Sequence, residues 1–174
     1  MIKHFFILLI FIVVLFGKDK QYVFNLEING NDKLETFQLK NKIRLKSRGF
    51  ISKTEFNQKK LQLDEITLKN YYQTMGFFDV TVSSQYKVFQ VSDINIKFII
   101  NEGKQYFINQ IVYAGTKLIK SQEAEKIIDM GKDSIYNPAK LRRNLKLLKY
   151  KYLQKGKLNI SISKEIIFEG NRAT

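Results

Sequence analysis

Cysteine is absent from this 174-residue chain, histidine occurs once, as His4, and proline once, as Pro138. Without cysteine there is no disulfide framework, no thiolate nucleophile and no lipid-modified N-terminal Cys. An exported protein tolerates that lack if its hydrophobic cores suffice. The lone histidine sits in an N-terminal segment that reads as removable. A chain without that segment has neither His nor Cys, so Ser-His-Asp, Cys-His and His-ligated metal sites all drop out. Arginine is scarce as well. Of 30 Lys and Arg, five are arginine: Arg44, Arg48, Arg142, Arg143 and Arg172. Bidentate recognition of phosphates and bases favours arginine, and no run of five like charges forms a basic tail. The net charge of +14 therefore reads as a solvated basic surface, and no nucleic-acid partner is expected.

Carboxylates offer little chemistry either. Asp64 and Glu65 are neighbours on one helix and point in different directions. Asp129 and Asp133 flank Gly131 at a spacing unlike a calcium loop. Both pairs read as surface charge. No enzyme, cofactor or metal site is expected.

What is present is apolar material in ordered patterns. Hydrophobic residues make up 44% of the chain, enough for packed cores and too many for disorder. With no low-complexity tract, no long structureless linker is expected. At the N-terminus Lys3 and His4 precede an unbroken apolar run, Phe5 to Phe16, closed by Lys18-Asp19-Lys20. Twelve helical residues span about 18 Å, short of the roughly 30 Å hydrocarbon core. Residues 1–20 therefore read as an export signal. The alternative is an uncleaved anchor, because Gly17 is the one small residue near the boundary and no A-x-A pattern occurs.

The chain also repeats itself at an offset of eighty residues. Asn57 to Gly76 (NQKKLQLDEITLKNYYQTMG) and Asn137 to Gly156 (NPAKLRRNLKLLKYKYLQKG) share seven of twenty positions. The shared residues have physical roles. Asn57 and Asn137 are good N-caps, and Pro138 fits the first helical position. Phe56/Leu61 and Tyr136/Leu141 have the spacing of a hydrophobic staple. Leu141, Leu145, Leu148 and Tyr152 form one helical face. Leu61, Leu68 and Tyr72 repeat it, with Glu65 in place of one leucine. Gly76 and Gly156 end the helices as left-handed caps.

After each glycine, apolar residues alternate with polar ones: Phe78, Val80, Val82, and again Leu158, Ile160, Ile162. That pattern predicts strands covered on one face. Further strands are predicted at 22–28, 93–100 and 107–113, and weaker helices near 34–45 and 121–130. The first unit reads β-α-α-β-β. The second reads β-α-α-β before the chain stops.

The ordered combination resembles the POTRA domains of BamA-like outer-membrane β-barrel assembly proteins. The resemblance rests on EGKQYFINQIVYAG (Glu102 to Gly115) and YYQTMGFFDVTVS (Tyr71 to Ser83), and it covers residues 21–174. It implies an α+β fold of tandem βααββ modules, each with two helices on a three-stranded mixed sheet. The last strand of each module is central in its sheet and the strand before it is an edge. Module one is expected at 21–101 and module two at 102–174. Lys164 to Thr174 reads as one strand end, a Gly-Asn turn and the start of the next strand, so the second module is expected to lack its last strand. A central strand such as 93–100 buries about four large apolar side chains at roughly 1.5–3 kcal/mol each. Without one, module two is expected to be marginal unless module one or a partner supports it.

The implied role is a periplasmic scaffold that binds unfolded outer-membrane proteins or assembly-complex subunits by strand addition, joined to the outer membrane through a C-terminal barrel missing here. Phe78, Val80, Val82 and Ser84 are the expected docking edge, beside the Leu61–Tyr72 helix. Such edges also occur merely as sheet borders. Glu102 and Gly103 form the inter-module linker, either a plain turn or a hinge. Alternatives are an inner-membrane-anchored interaction protein of the cell-division type and a translocation-associated scaffold.

Overall fold

The computed structural model describes residues 20–115 and 118–174. Of the expected export signal, 1–20, residues 1–19 lie outside the described residues. Among the described residues, no helix is long and apolar enough to cross a membrane.

The first unit opens with strand β1 (Tyr22–Asn29), followed by helix α1 (Thr36–Lys42), helix α2 (Gln58–Thr74), strand β2 (Thr81–Gln90) and strand β3 (Asp93–Asn101). The sheet order is β1-β3-β2, with β1 parallel and β2 antiparallel to β3. Strand β3 is central because alternation has given it a fully apolar face. Ile94, Ile96, Phe98 and Ile100 are all buried beneath the helices. In β1 a register shift between Val23 and Asn25 breaks the period of two. Val23 and Leu26 thereby both turn inward although they are three residues apart. Leu39, Leu61, Leu68 and Tyr72 close the core from the helical side.

Helix α2 is delimited at both ends as the repeat predicts. The Asn57 side chain accepts from the Lys59 and Lys60 amides at 2.8 and 3.2 Å. At the far end Gly76 adopts φ +87°. The Phe77 N–H reaches back to the Tyr72 carbonyl at 3.1 Å and the Gly76 N–H to the Gln73 carbonyl at 3.2 Å. This is a Schellman closure, with the Phe77 ring packed edge-on against Tyr72.

The second unit contains strand β4 (Phe107–Ile108), helix α3 (Ser121–Ile128), helix α4 (Pro138–Gln154), strand β5 (Phe168–Glu169) and strand β6 (Arg172–Ala173). Helix α4 reproduces α2 at the eighty-residue offset. Asn137 caps it by accepting from the Lys140 amide, and Gly156 at φ +80° ends it. The Lys157 and Gly156 amides make the same two closing bonds, to Tyr152 and Leu153. Ile108, Ile119, Ile128, Tyr136, Leu148 and Tyr152 form a separate core.

The sheets, unlike the helices, are not copies. The second is also three-stranded and mixed, in the order β4-β6-β5, but each strand is two residues long. Residues 109–113 and 158–163, expected as strands, lie outside the named strands. The cause is the short central strand. Arg172 and Ala173 stand between the flanking segments, and the ladder's last rungs are the Asn109 N–H on the Ala173 carbonyl and the reciprocal bonds between Ile167 and Thr174. As the sequence predicts for Lys164 to Thr174, a turn at Gly170 and Asn171 leads from β5 into the start of the last strand, Arg172 and Ala173.

Candidate functional site

The two edges of the first sheet differ. The outer side of β1 is occupied by the segment that follows α1. The Val23 N–H donates to the Thr54 carbonyl at 2.9 Å and the Arg48 N–H to the Phe24 carbonyl at 3.2 Å. The Leu26 N–H is taken by the Ser47 hydroxyl, and Tyr22 bridges to Glu55. Strand β2 instead pairs with β3 alone. Alternate N–H and C=O groups along its other side point outward, with no backbone partner among the described residues.

The residues expected at the docking edge are distributed along this region unequally. Phe78 and Val80 lie in the turn before the strand, which begins at Thr81. Val80 is buried in the first core, and Val82 is half-buried against it. The Ser84 hydroxyl donates to Glu65 on α2 at 2.6 Å, tying the edge strand to the helix behind it. Farther along, β2 becomes more exposed and more apolar than the sequence reading allowed. Tyr86, Val88 and Phe89 are all exposed. Phe89 stacks on Phe24 with ring centroids 5.0 Å apart, and the Arg48 guanidinium lies over the other ring of that stack, Phe24, at 5.5 Å. Arg48 also forms a two-pronged ion pair with the buried Asp93 carboxylate, at 2.5 and 3.0 Å. This fixes the end of the sheet where the exposed aromatics gather.

Phe78 belongs to a different feature. Its ring faces the second unit, within 6.4 Å of Tyr106, 6.2 Å of Tyr136 and 6.0 Å of Phe168. The Schellman turn of α2 supplies the rest of this joint. The Gly76 carbonyl accepts from the Tyr106 N–H at 2.9 Å, the Met75 carbonyl from Gln105 at 2.9 Å, and the Thr74 carbonyl from the Asn137 side chain at 3.0 Å. The carbonyls left over at the end of one helix thus hold the next unit in place. The Tyr106 hydroxyl donates to Asp79 at 2.5 Å, which pushes its pKa upward by favouring the protonated phenol.

Glu102 and Gly103 differ in character. Gly103 has φ +68° and lies against Asp79, a geometry that favours glycine. Glu102 is buried, and its carboxylate accepts from the Tyr72 hydroxyl at 2.9 Å and from the Lys33 amide at 3.0 and 3.1 Å. Burial and then the bond to Glu102 push the Tyr72 phenol well above its ordinary value. Glu102 is therefore an anchored end of β3.

Asp64 corrects the surface-charge reading. It is completely buried, and its two oxygens accept from the Arg44 and Leu45 amides at 2.8 and 2.9 Å. Its counterpart eighty residues on, Asn144, is also buried and donates to the Ile128 carbonyl at 2.8 Å. Each ties its long helix to the end of the short helix before it. The signal was in the sequence: position 64 falls between Leu61 and Leu68 on the apolar face, and the repeat keeps a polar residue there. Glu65 is partly exposed, and Asp129 and Asp133 pair with Lys140 and Arg172 at the surface. No cluster of three or more metal-ligating side chains occurs among the described residues. The arrangement offers main-chain hydrogen bonding and apolar contact.

Comparison with known proteins gives this geometry a context. The family described as "POTRA: Surface antigen variable number repeat" matches residues 21–103 and again 106–174. A protein of Treponema pallidum (strain Nichols) named "Putative outer membrane protein assembly factor" is 27% identical over 111 residues, 64% of this chain. The chain spans 12% of that relative's length. POTRA domains 3–5 of BamA from Haemophilus influenzae superpose with a TM-score of 0.62 at 16% identity, covering 91% of this chain and 66% of that one. POTRA domains 1–2 of Omp85 from Anabaena superpose at 0.52 and 16% identity, covering 88% and 92%.

Proposed function

Because the chain belongs to the POTRA family, we propose that residues 21–101 and 102–174 are consecutive modules in the periplasmic region of an outer-membrane protein assembly factor, and that they hold extended segments of unfolded barrel precursors, or of accessory subunits, along the free side of β2. The role is that of a scaffold. The 27%-identical relative, named for outer-membrane assembly, supports the setting. The observation that carries the docking edge is the asymmetry of the first sheet. One flank is sealed by residues 47–56, and the other, β2, presents bare main chain beside exposed Tyr86, Val88 and Phe89. Strand addition draws its affinity from main-chain bonds and asks little of sequence, which suits many clients. The proposed edge is accordingly Thr81–Gln90, retaining Val82 and Ser84 and excluding Phe78 and Val80.

A photoreactive side chain placed at Lys87 on β2, and separately at Glu27 on β1, tests this reading. Unfolded barrel precursors should crosslink at Lys87 several-fold more than at Glu27. Equal capture at both positions, or none at Lys87, rejects the edge. Proline at Gln85 and at Tyr86 supplies a second readout. Outward N–H groups alternate along the strand, so one of the two variants should lose client binding while keeping the β2–β3 ladder.

A further inference from the structure

The last turn of α2 and the first turns of α4 enclose a cleft of about 460 Å³ between the two modules. Its α2 wall carries Asn70, Gln73 and Thr74, and its α4 wall carries Arg142, Arg143 and Lys146. One side chain sets the spacing of the walls. Asn137 caps α4 by accepting from the Lys140 amide at 2.9 Å, and its own side-chain amide donates to the Thr74 carbonyl at 3.0 Å. The cleft is therefore shaped before anything enters it.

Its charge is one-sided. Three of the lining residues are cations and none is a carboxylate. Among the described residues, none of the three forms an ion pair, whereas Lys140, Lys151 and Lys155 on or just after the same helix do. Asp129, whose charge Arg143 also feels, is already bonded to Lys140 at 2.7 Å. Arg142 and Arg143 are exposed neighbours, in a chain where arginine is scarce. A concave site lined by one sign of charge focuses its field on an incoming ion of the other sign, and a guanidinium grips a carboxylate in a two-pronged geometry. Arg142 and Lys146 stand one helical turn apart on one face.

Beyond Asn70 the α2 wall changes character. Ile66 and Leu63 continue its stripe at helical spacing, and both are exposed. A phosphate group would meet the cations and leave these two side chains bare, whereas a polypeptide covers both. A second copy of this chain is disfavoured, because each copy carries a net charge of +14.

We propose that this cleft docks an acidic segment of a partner protein, with its carboxylates on Arg142, Arg143 and Lys146 and its apolar side chains on Ile66 and Leu63. The site reads charge where the β2 edge offers main chain, and it stands whether or not that edge takes clients. Its walls belong to different modules, so an occupant bridges them and adds a strut to the joint made by Phe78 and Tyr106.

Titration of the isotope-labelled chain, followed by amide chemical shifts, tests the cleft. The probe is the acidic peptide EELEELEEL, and the control is its neutral counterpart QQLQQLQQL. The acidic peptide should shift amides on both walls, 63–74 and 139–146, and bind at least tenfold more tightly than the neutral one. Arg142→Glu combined with Lys146→Glu should weaken that binding at least tenfold while the other amides keep their positions. Lys157→Glu combined with Lys164→Glu makes the same change of charge beyond the far end of α4, and should leave the affinity within twofold. Equal losses in the two double variants show attraction to net charge alone and overturn the proposal. Shifts on one wall only, or confined to 81–90, also overturn it. Inorganic phosphate or oligothymidine acting on the same amides as tightly as the peptide overturns the assignment to a protein partner. None of these outcomes alters the crosslink expected at Lys87, so the cleft and the β2 edge fail separately.

Discussion

The Tyr72 hydroxyl donates to the Glu102 carboxylate at 2.9 Å, joining the last turn of α2 to the end of the central strand thirty residues later. Both partners are buried, so the bond forms where an unpaired polar group is costly. It fixes the point from which the second module departs.

Removal of either partner should therefore be felt in module one. Glu102→Ala leaves the Tyr72 hydroxyl and the Lys33 amide unpaired, at about 1–3 kcal/mol each. Tyr72→Phe should cost about 1.5–3 kcal/mol, because the lost bond is to a charged group. Denaturant unfolding of the single and double variants should show a coupling of about 0.5–3 kcal/mol between them.

The two helix-ending glycines make a paired comparison. Gly156→Ala places a side chain at φ +80° with open space around it, so it should cost about 1–2 kcal/mol, the left-handed penalty alone. Gly76→Ala adds a Cβ 2.7 Å from the Ile135 side chain and 3.0 Å from the Tyr106 carbonyl oxygen. It should cost about 3 kcal/mol or more. In addition it should loosen the inter-module joint, visible as more independent tumbling of the modules in NMR relaxation.

Adjacent carboxylates on α2 should differ in how much they matter. Asp64→Ala strips the acceptor from two backbone amides in the first core and should lower stability by about 2–3 kcal/mol. Glu65→Ala, losing one bond to Ser84, should change it by about 0.5–1 kcal/mol. Thermal melts of the two variants decide between buried anchor and surface charge at each position.

An alkaline limit should follow from Tyr72. Its folded-state pKa is raised by burial and by Glu102, so the folded chain holds the proton that the unfolded chain releases near pH 10. Its contribution is complete below pH 10 and is lost as pH climbs above it. Unfolding midpoints measured from pH 8 to 12 should fall on the alkaline side, and less steeply in Tyr72→Phe. Tyrosinate absorbance should show this phenol ionising together with unfolding.

Both long helices, their caps and their closing glycines were legible from the sequence, because caps and apolar spacing are local signals. So was β3, whose alternation is strong, and so was the position of β1, although its period of two is broken between Val23 and Asn25. The start of β2 was misplaced at Phe78. Alternation of Phe78, Val80 and Val82 counts as strand whether the chain is extended or turning, and only the contact of Phe78 with Tyr106, Tyr136 and Phe168 separates the two. The buried roles of Asp64 and Glu102 were hidden for a related reason. Asp64 was marked only by its place between Leu61 and Leu68, and the donors to the two carboxylates, the Arg44, Leu45 and Lys33 amides and the Tyr72 hydroxyl, lie distant in sequence. The second sheet fell short of its pattern because a strand needs a neighbour as well as an alternation.

The sealed flank of β1 bears on self-association. An open sheet with two bare borders can recruit copies on both sides and grow into a fibre. Among the described residues the first sheet has a single bare border, so two chains meeting along β2 would leave that sheet no further edge for a third. Association through this sheet would stop at a pair, so β2 would set the limit of its growth.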